Sequence, residues 1–338
     1  MFTQLLAIIR NTFVESIRQP IMVVLIGAGA LMLVLSTAGA ANTLDDDNLL
    51  FIQIGLSTLL LAGLFMAGFT ATGVLSLEIE NKTVLTVVSK PVGRPLFIVG
   101  KYIGVAAALT LAMWPLVMIL LLCVRHGVMQ TASHEHDGPV LVFGISALVI
   151  SLFGSMLANY LYRWPFVSTF VTSLAVLMTG ATLLVFVVGK GWNLQDLGHE
   201  FEGDQSKFPP VLLGVLLLYE ALLIYCAVAI VASTRLGQVM TILITLAFGI
   251  LMSQVGSWKA AMSSGEPAGS VIESGLRLFV NLLYHITPDL NFLWVADDLS
   301  TGLSLSGAYV ATVTLYSFLF ILALLGLAVA MFQTREVG

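Results

Sequence analysis

Long apolar stretches alternate with short polar segments along the whole chain. About 20 apolar residues in a helix are enough to cross the ~30 Å hydrocarbon core of a bilayer. The stretches of this length are Ile21–Ala41, Phe51–Ser76, Tyr102–Val124, Val140–Leu161, Phe166–Gly189, Val211–Ala232, Gln238–Val255 and Ala308–Phe332. The seventh is the shortest and the weakest prediction. The pattern predicts an all-α integral membrane protein, a polytopic helix bundle with about eight transmembrane helices.

The first 20 residues predict an amphipathic helix that lies on the membrane surface. Its apolar side consists of Leu5, Ile8, Ile9, Phe13 and Ile17. Pro20 ends this helix before the first span. Arg10 and Arg18 precede an apolar run, as in a secretory signal, but the leading segment is long and amphipathic. We therefore expect a retained first span rather than a cleaved peptide.

The segment 256–307 is the longest connection between predicted spans. Within it, Val271–His285 has an apolar side, and the Thr287–Pro288 step ends the pattern. Polar residues interrupt the segment too often for a further span, so we expect short helices in the membrane interface. The chain thus divides into an interfacial helix (1–20) and one transmembrane domain (21–338), with no separate soluble domain.

The composition agrees with a membrane protein. Hydrophobic residues make up 58% of the chain and charged residues 10%, whereas about a quarter of a typical soluble domain is charged. Both cysteines, Cys123 and Cys226, lie inside apolar runs, which indicates small core residues rather than a disulfide or redox pair. We expect a lipid bilayer around the chain and no nucleic-acid partner.

Lys and Arg are unevenly distributed between the two sides of the predicted bundle. Eight spans place both termini on one side, which then holds nine Lys and Arg, against five on the other side. Fourteen of the nineteen acids lie in the loops of that other side. Because cytoplasmic segments carry the excess of Lys and Arg, we expect both termini in the cytoplasm of a cell with this chain in its plasma (inner) membrane.

The most charged segment between two spans is 77–101, LEIENKTVLTVVSKPVGRPLFIVGK, which the same argument assigns to the cytoplasm. It predicts a short helix, a break at Ser89–Lys90–Pro91 and a return helix, because proline favours a stop and a turn. The first helix has an apolar side that fits a partner's groove. This side consists of Val84, Leu85, Val87 and Val88. A solvated loop with an interfacial helix is the alternative.

The chain lacks the G-x-x-x-x-G-K-[ST] pattern that cradles nucleotide phosphates, and its glycine-rich stretches lie in apolar spans. We therefore expect no ATPase activity, and no enzyme activity, from this chain alone. Any energy from nucleotide hydrolysis must come from a partner.

The loop resembles the first cytoplasmic loop of type-2 ABC exporter (ABC-2 type) permeases, and within them the multi-copper-enzyme maturation permease-like subgroup. The matching residues in the loop are Glu78, Lys82–Thr83, Ser89-Lys90-Pro91-Val92-Gly93-Arg94 and Gly100–Lys101. Similar residues elsewhere are Arg18-Gln19-Pro20, Ser233-Thr234-Arg235 and Phe332-Gln333-Thr334-Arg335-Glu336. That family commonly has six spans, so eight spans imply six plus an extra pair.

The resemblance implies a permease subunit whose coupling helix rests on a separate ABC ATPase present in two copies, which would bind ATP and Mg. A second permease copy, or a related permease, would complete the exporter. In this picture Glu78 and Glu80 pair with basic residues of the ATPase or of the N-terminal helix, and Val84, Leu85 and Val88 fill its cleft. The other coupling residues are Lys82, Thr83, Lys90, Pro91, Arg94 and Lys101. Lys90 and Arg94 are equally suited to the lipid headgroups.

Glu220 lies in the middle of a predicted span, about 14 Å from its start at 1.5 Å per residue. An ionisable group at that depth is costly and faces the bundle interior, a cavity or a partner. Tyr219 and Tyr225 are candidates to donate hydrogen bonds to it. Two interpretations of Glu220 remain: it is a residue of the transport path, or it is a structural, hydrogen-bonded glutamate.

One loop on the non-cytoplasmic side groups histidines with other metal-binding residue types. Its members are His126, Met129, His134, Glu135, His136 and Asp137. Histidine and methionine bind copper or zinc, so His126, His134 and His136 are weak metal candidates. Histidines in such a loop are more often simply solvated, and we expect no metal.

Three functions compete at this point. The first is the ABC exporter permease. The second is a secondary transporter that uses Glu220 as its ion or proton site, and the third is a membrane scaffold without transport. The substrate is not encoded in any recognisable motif, although apolar spans with few charges suit lipid-like or amphipathic cargo, or mechanical work on a bound partner.

Overall fold

The computed structural model describes residues 2–40, 47–76, 78, 93–128, 136–196, 198, 201, 208–263, 271–296 and 306–333. This part of the chain contains ten α-helices and no strand, apart from one isolated bridge between Val188 and Leu194. The helices are α1 (Phe2–Ile17), α2 (Pro20–Ala40), α3 (Asp47–Ala71), α4 (Arg94–His126), α5 (Gly138–Tyr162), α6 (Phe166–Val187), α7 (Phe208–Ser233), α8 (Gln238–Ser263), α9 (Val271–Ile286) and α10 (Gly307–Gln333). A π-helical turn, Thr72–Ser76, extends α3, and a 3₁₀ turn, Leu290–Phe292, follows α9.

Eight of these helices, all except α1 and α9, are long and apolar enough to cross a membrane. The predicted polytopic helical bundle with eight spans is therefore confirmed. The seventh span, predicted to stop at Val255, continues as helix to Ser263. Hydropathy marks only the apolar part of a helix, whereas backbone hydrogen bonding continues into the polar residues beyond it.

Helices α4 and α7 form the centre of the bundle. Helix α4 packs against α1, α2, α3, α6, α7 and α10, and α7 packs against α3, α4, α8 and α10. Their apolar residues make up much of the buried core, whereas α5 packs mainly on α6 and exposes most of its length. The end of the bundle that carries α1, the start of α4 and the end of α10 is called the N-terminal end below, and the opposite one the distal end.

Helix α1 crosses α4 at two glycines. A Cβ added to Gly104 would lie 2.5 Å from Cβ of Thr12 and 2.9 Å from the carbonyl oxygen of Ile9. At Gly100 it would lie 2.8 Å from a methyl group of Ile8. Glycine at both positions lets the two backbones approach closely. The predicted amphipathic helix at the N terminus is thus part of the bundle.

The small residues of α3 serve packing within the chain. A Cβ on Gly55 or Gly63 would meet a leucine of α4 or α7 within 2.6 Å. Cys123 and Cys226 are both buried and free, as predicted for small core residues.

Candidate functional site

A buried cluster of charges lies at the N-terminal end of the bundle. Lys101 of α4 is 2% exposed, and its Nζ lies 2.7 Å from a carboxylate oxygen of Glu78 and 3.8 Å from one of Glu15 in α1. The same ammonium donates to the carbonyl oxygen of Val74 at 3.3 Å and lies 5.5 Å from the ring centre of Phe97. We call Glu15, Glu78 and Lys101 the ionic cluster.

The end of α3 shapes this cluster. The last carbonyls of a helix lack partners within the helix and carry negative partial charge. The π-helical turn Thr72–Ser76 presents one of them, on Val74, to Lys101. Ser76 donates to the carbonyl oxygen of Leu236 at 3.1 Å, which ties the same turn to the end of α7. One lysine therefore contacts a helix end and lies within ion-pair distance of two carboxylates.

The ionic cluster has one positive charge for two acids. Burial raises the pKa of the Glu15 carboxyl above its ordinary value. The charge of Lys101 lowers that pKa by less than burial raises it, and the neighbouring Glu78 raises it further. An additional positive group near Glu15 would therefore be favourable.

Arg94 joins the first turn of α4 to the last turn of α10. Its guanidinium donates to the carbonyl oxygen of Gln333 at 2.5 Å. One turn further, the rings of Phe97 and Phe332 stack with centroids 5.7 Å apart. A cation at the C-terminal end of a helix also complements the helix dipole. The return side of segment 77–101 is thus fixed to α10.

The structure describes three of the eleven predicted coupling residues, namely Glu78, Arg94 and Lys101. All three lie at the N-terminal end, and Glu78 finds a partner within the chain, Lys101. Lys101 is too deeply buried to contact another protein, so any part that it has in coupling is to hold the base of the loop. The remaining predicted residues, Glu80, Lys82, Thr83, Val84, Leu85, Val88, Lys90 and Pro91, lie outside the described residues.

Glu220 lies in the middle of α7, twelve residues from its first residue, Phe208. One carboxylate oxygen accepts a hydrogen bond of 2.6 Å from the hydroxyl of Thr314 in α10. The other oxygen, Oε2, is buried and has no hydrogen-bond partner in the described part of the chain. Glu220 therefore bridges two helices, and one of its two carboxylate oxygens makes no hydrogen bond within the described part of the chain.

The two tyrosines proposed as donors to Glu220 have other partners, which corrects that expectation. The hydroxyl of Tyr219 lies 2.5 Å from that of Thr110 in α4, and the ring of Tyr225 packs edge-on against Phe248 in α8. Successive residues on a helix point about 100° apart, and residues five apart differ by about 140°. Tyr219 and Tyr225 therefore face different helices from Glu220.

The distal end holds a second buried charge pair. Arg125 Nε lies 3.4 Å from a carboxylate oxygen of Asp137, and the guanidinium also donates to the carbonyls of Val185 and Val188. Asp137 is 1% exposed and also caps α5, because its side chain accepts from the backbone N–H of Val140 at 3.2 Å. This pair joins α4, α5 and the end of α6.

The candidate metal loop lies beside this pair. The rings of His126 and His136 stack with centroids 5.9 Å apart, and His134 lies outside the described residues. Asp137 is committed to Arg125 and to the helix cap. Within the ranges that the structure describes, no three His, Cys, Asp or Glu side chains form a group suited to a metal ion.

Sequence reasoning missed Glu15, Thr314 and the pairing of Arg125 with Asp137. Glu15 and Thr314 lie far along the chain from the residues that they contact, and neither belongs to a motif. The one available signal was charge near a span end, since Arg125 and Asp137 flank a single loop and opposite charges there favour a pair.

The chain matches no family model, no curated protein and no solved structure.

Proposed function

We propose that this multi-pass membrane protein is the permease subunit of an ATP-driven exporter, and that segment 77–101 is its contact with a separate ATPase. The loop motif that resembles ABC-2 type permeases supports this, and so does the lack of a phosphate-binding loop in the chain. The observation that carries the proposal is the ionic cluster. It ties both ends of segment 77–101, at Glu78 and Lys101, to each other and to α1.

In this mechanism the partner ATPase binds ATP and Mg and moves on closure. The apolar side of the loop (Val84, Leu85 and Val88) contacts it, and the ionic cluster makes the base of the loop one unit with α1 and α4. The Arg94–Gln333 hydrogen bond extends that unit to α10. A push on the loop would then shift several spans together, because packed helices move as bodies. Two permease copies and two ATPases complete the machine, with the N-terminal end in the cytoplasm.

Co-purification tests this proposal. The tagged full-length chain is isolated from its native membranes in mild detergent, and bound proteins are identified and quantified. We expect an ATPase subunit with its own phosphate-binding loop at about one copy per permease. Val84→Asp and Val88→Asp, which put charge on the docking side, are expected to lower its recovery by roughly tenfold or more.

The matched control is Leu194→Asp. Leu194 is 83% exposed in the loop after α6 at the distal end, so the same change there should leave ATPase recovery unaltered. Recovery of no ATPase, or equal recovery with the Val84 and control variants, would contradict the proposal.

A gradient-driven transporter is the second candidate, and the unpartnered oxygen of Glu220 favours it. Such a protein would move substrate in vesicles that contain the purified chain alone, with a proton or ion gradient and no ATPase. Gradient-driven flux that Glu220→Gln abolishes would favour it over the exporter. Absence of flux under those conditions together with a bound ATPase would reject it.

A further inference from the structure

Three contacts between polar side chains link neighbouring spanning helices, from α6 to α4, from α4 to α7 and from α7 to α10. Trp114 Nε1 of α4 donates to the hydroxyl of Thr179 in α6 at 2.7 Å. One turn earlier on the same side of α4, the hydroxyl of Thr110 contacts that of Tyr219 in α7. The next residue of α7, Glu220, accepts a hydrogen bond from Thr314 of α10. These six residues, Thr179, Trp114, Thr110, Tyr219, Glu220 and Thr314, are called the polar strip.

The polar strip lies open on the side of α4. Although α4 is among the most buried helices, Thr110 is exposed and Trp114 is 44% exposed. Both are near the middle of the helix, since Thr110 is sixteen residues from each end of Arg94–His126. Their hydrogen bonds reach α6 in one direction and α7 in the other, so the open surface of α4 lies between these two helices.

The open surface continues onto α7. Leu212 and Leu216 are 38% and 48% exposed, and Tyr219 and Glu220 flank the same stripe of the helix. Tyr219 turns from this stripe toward α4, and Glu220 turns toward α10. Thr314 is itself exposed. The contact between Thr314 and Glu220 is therefore at the edge of the open surface.

Among the described residues, no basic side chain pairs with the Glu220 carboxyl group. Within the eight spanning segments of the described chain, Glu220 is the one Asp or Glu in the interior of a helix. The Lys and Arg within those ranges, Arg94, Lys101, Arg125 and Lys259, all lie within about two turns of a helix end. A carboxylate in the middle of a membrane is costly without a positive charge beside it, and Oε2 has no partner among the described residues.

Aromatic and hydroxyl groups around Glu220 suit an organic cation. Trp114 of the same strip is 44% exposed, and aromatic rings attract positive charge. The threonine hydroxyls can accept from a donor group. A second copy of this chain would bring another Glu220 or an apolar surface to the strip, and neither would neutralise the charge.

We propose that the polar strip binds the positively charged group of an amphipathic organic cation that reaches it from the membrane, with Glu220 as the counter-charge. The apolar part of such a molecule lies along Leu212 and Leu216, and its cation lies near Glu220. In a low-dielectric surrounding the carboxylate attracts the cation without direct contact to the buried Oε2. This inference rests on the proposed exporter function only where it names the class of molecule that the exporter moves. Binding of the cation to the polar strip needs no ATPase.

The test measures binding of tetraphenylphosphonium, a membrane-permeant organic cation, to the purified full-length chain in phosphatidylcholine nanodiscs. Tetraphenylborate, which has similar size and the opposite charge, is the paired probe. We expect saturable cation binding above that of empty nanodiscs, no saturable anion binding, and a loss of affinity of roughly tenfold or more in Glu220→Gln. The control Asp196→Asn removes an exposed charge in the loop after α6 and should leave binding unchanged.

A second pair of variants keeps the test decisive if Glu220→Gln does not fold. Thr110→Leu adds bulk on the open surface and should weaken cation binding, while Thr312→Leu makes the same change on another side of α10 and should not. Cation uptake equal to that of empty nanodiscs, equal binding of both probes, or equal affinity in all variants would overturn the proposal. These results leave ATPase co-purification untouched, so failure of the cation site and failure of the exporter proposal are separable.

Discussion

At the scale of single residues, each end of the bundle contains a similar buried charge pair. A basic side chain of α4 is buried at each end, Lys101 at one and Arg125 at the other. Each has a carboxylate partner and a backbone carbonyl from a neighbouring helix end. In the sequence, these two residues count as loop charges that indicate the orientation of the chain in the membrane. In the fold, both are buried and link neighbouring helices.

We predict that the stability of the protein depends strongly on the lysine of the ionic cluster, Lys101. Lys101→Met leaves Glu78 and Glu15 without their positive partner, and breaking a buried pair from one side costs about 3–5 kcal/mol. We expect a destabilisation at the lower end of that range, because Glu78 is 18% and Glu15 37% exposed in their side chains. Thermal unfolding in detergent measures it.

The double variant Lys101→Met/Glu78→Gln should recover most of the loss, since removing both partners is far cheaper than removing one. Lys190→Met, at an exposed lysine of the loop after α6, is the matched control and should change stability little. If Lys101→Met were as stable as this control, the ionic cluster would not contribute to the stability of the protein.

At the scale of elements, the apolar pattern predicted all eight spanning helices and also α1 and α9, and it predicted most span ends to within four residues. The exceptions are the start of α4 and the end of α8. The third span was predicted to begin at Tyr102, with a return helix before it in segment 77–101, whereas in the structure both belong to α4, which begins at Arg94. The added turns carry Arg94 and Lys101, whose partners in α1, α3 and α10 make a charged helical extension stable. A hydropathy pattern contains no information on such partners, because they are set by distant parts of the chain. The π-helical turn after α3 was missed for the same reason.

The crossing of α1 over α4 gives an element-scale prediction. Gly104→Ala would place a Cβ against Thr12 and against a backbone oxygen, which cannot move as a side chain can. Overpacking of this kind costs about 1–3 kcal/mol. We expect a lower thermal stability and faster proteolytic removal of α1 in detergent.

Gly154→Ala is the control for that variant. Gly154 lies inside α5 with nothing within 4 Å of an added Cβ, so the change should be neutral or slightly stabilising through helix propensity. Equal behaviour of the two variants would mean that α1 is not held at Gly104.

At the scale of the whole molecule, α4 connects every feature described above. Lys101 and Arg125 are 24 residues apart on it, a distance of about 36 Å along a helix, and the polar strip crosses it between them. Pro115 lies in the middle of the helix, next to Trp114, and removes one backbone hydrogen bond there. A displacement of the loop at the N-terminal end would therefore reach the polar strip through one continuous helix, which lacks a backbone hydrogen bond at Pro115.

The last prediction concerns the orientation of α4, and with it the whole bundle, in the membrane. The eight candidate spans of the described residues predict that both termini lie on one side, and the excess of Lys and Arg predicts that this side is the cytoplasm. Single cysteines at the exposed positions Arg163 and Lys190 report the two ends, and the native Cys123 and Cys226 are buried and should stay silent. A membrane-impermeant maleimide should label Lys190→Cys in intact cells and Arg163→Cys only after permeabilisation. The reverse pattern would put segment 77–101 outside the cell, where no ATPase has ATP, and would reject the exporter proposal together with the orientation.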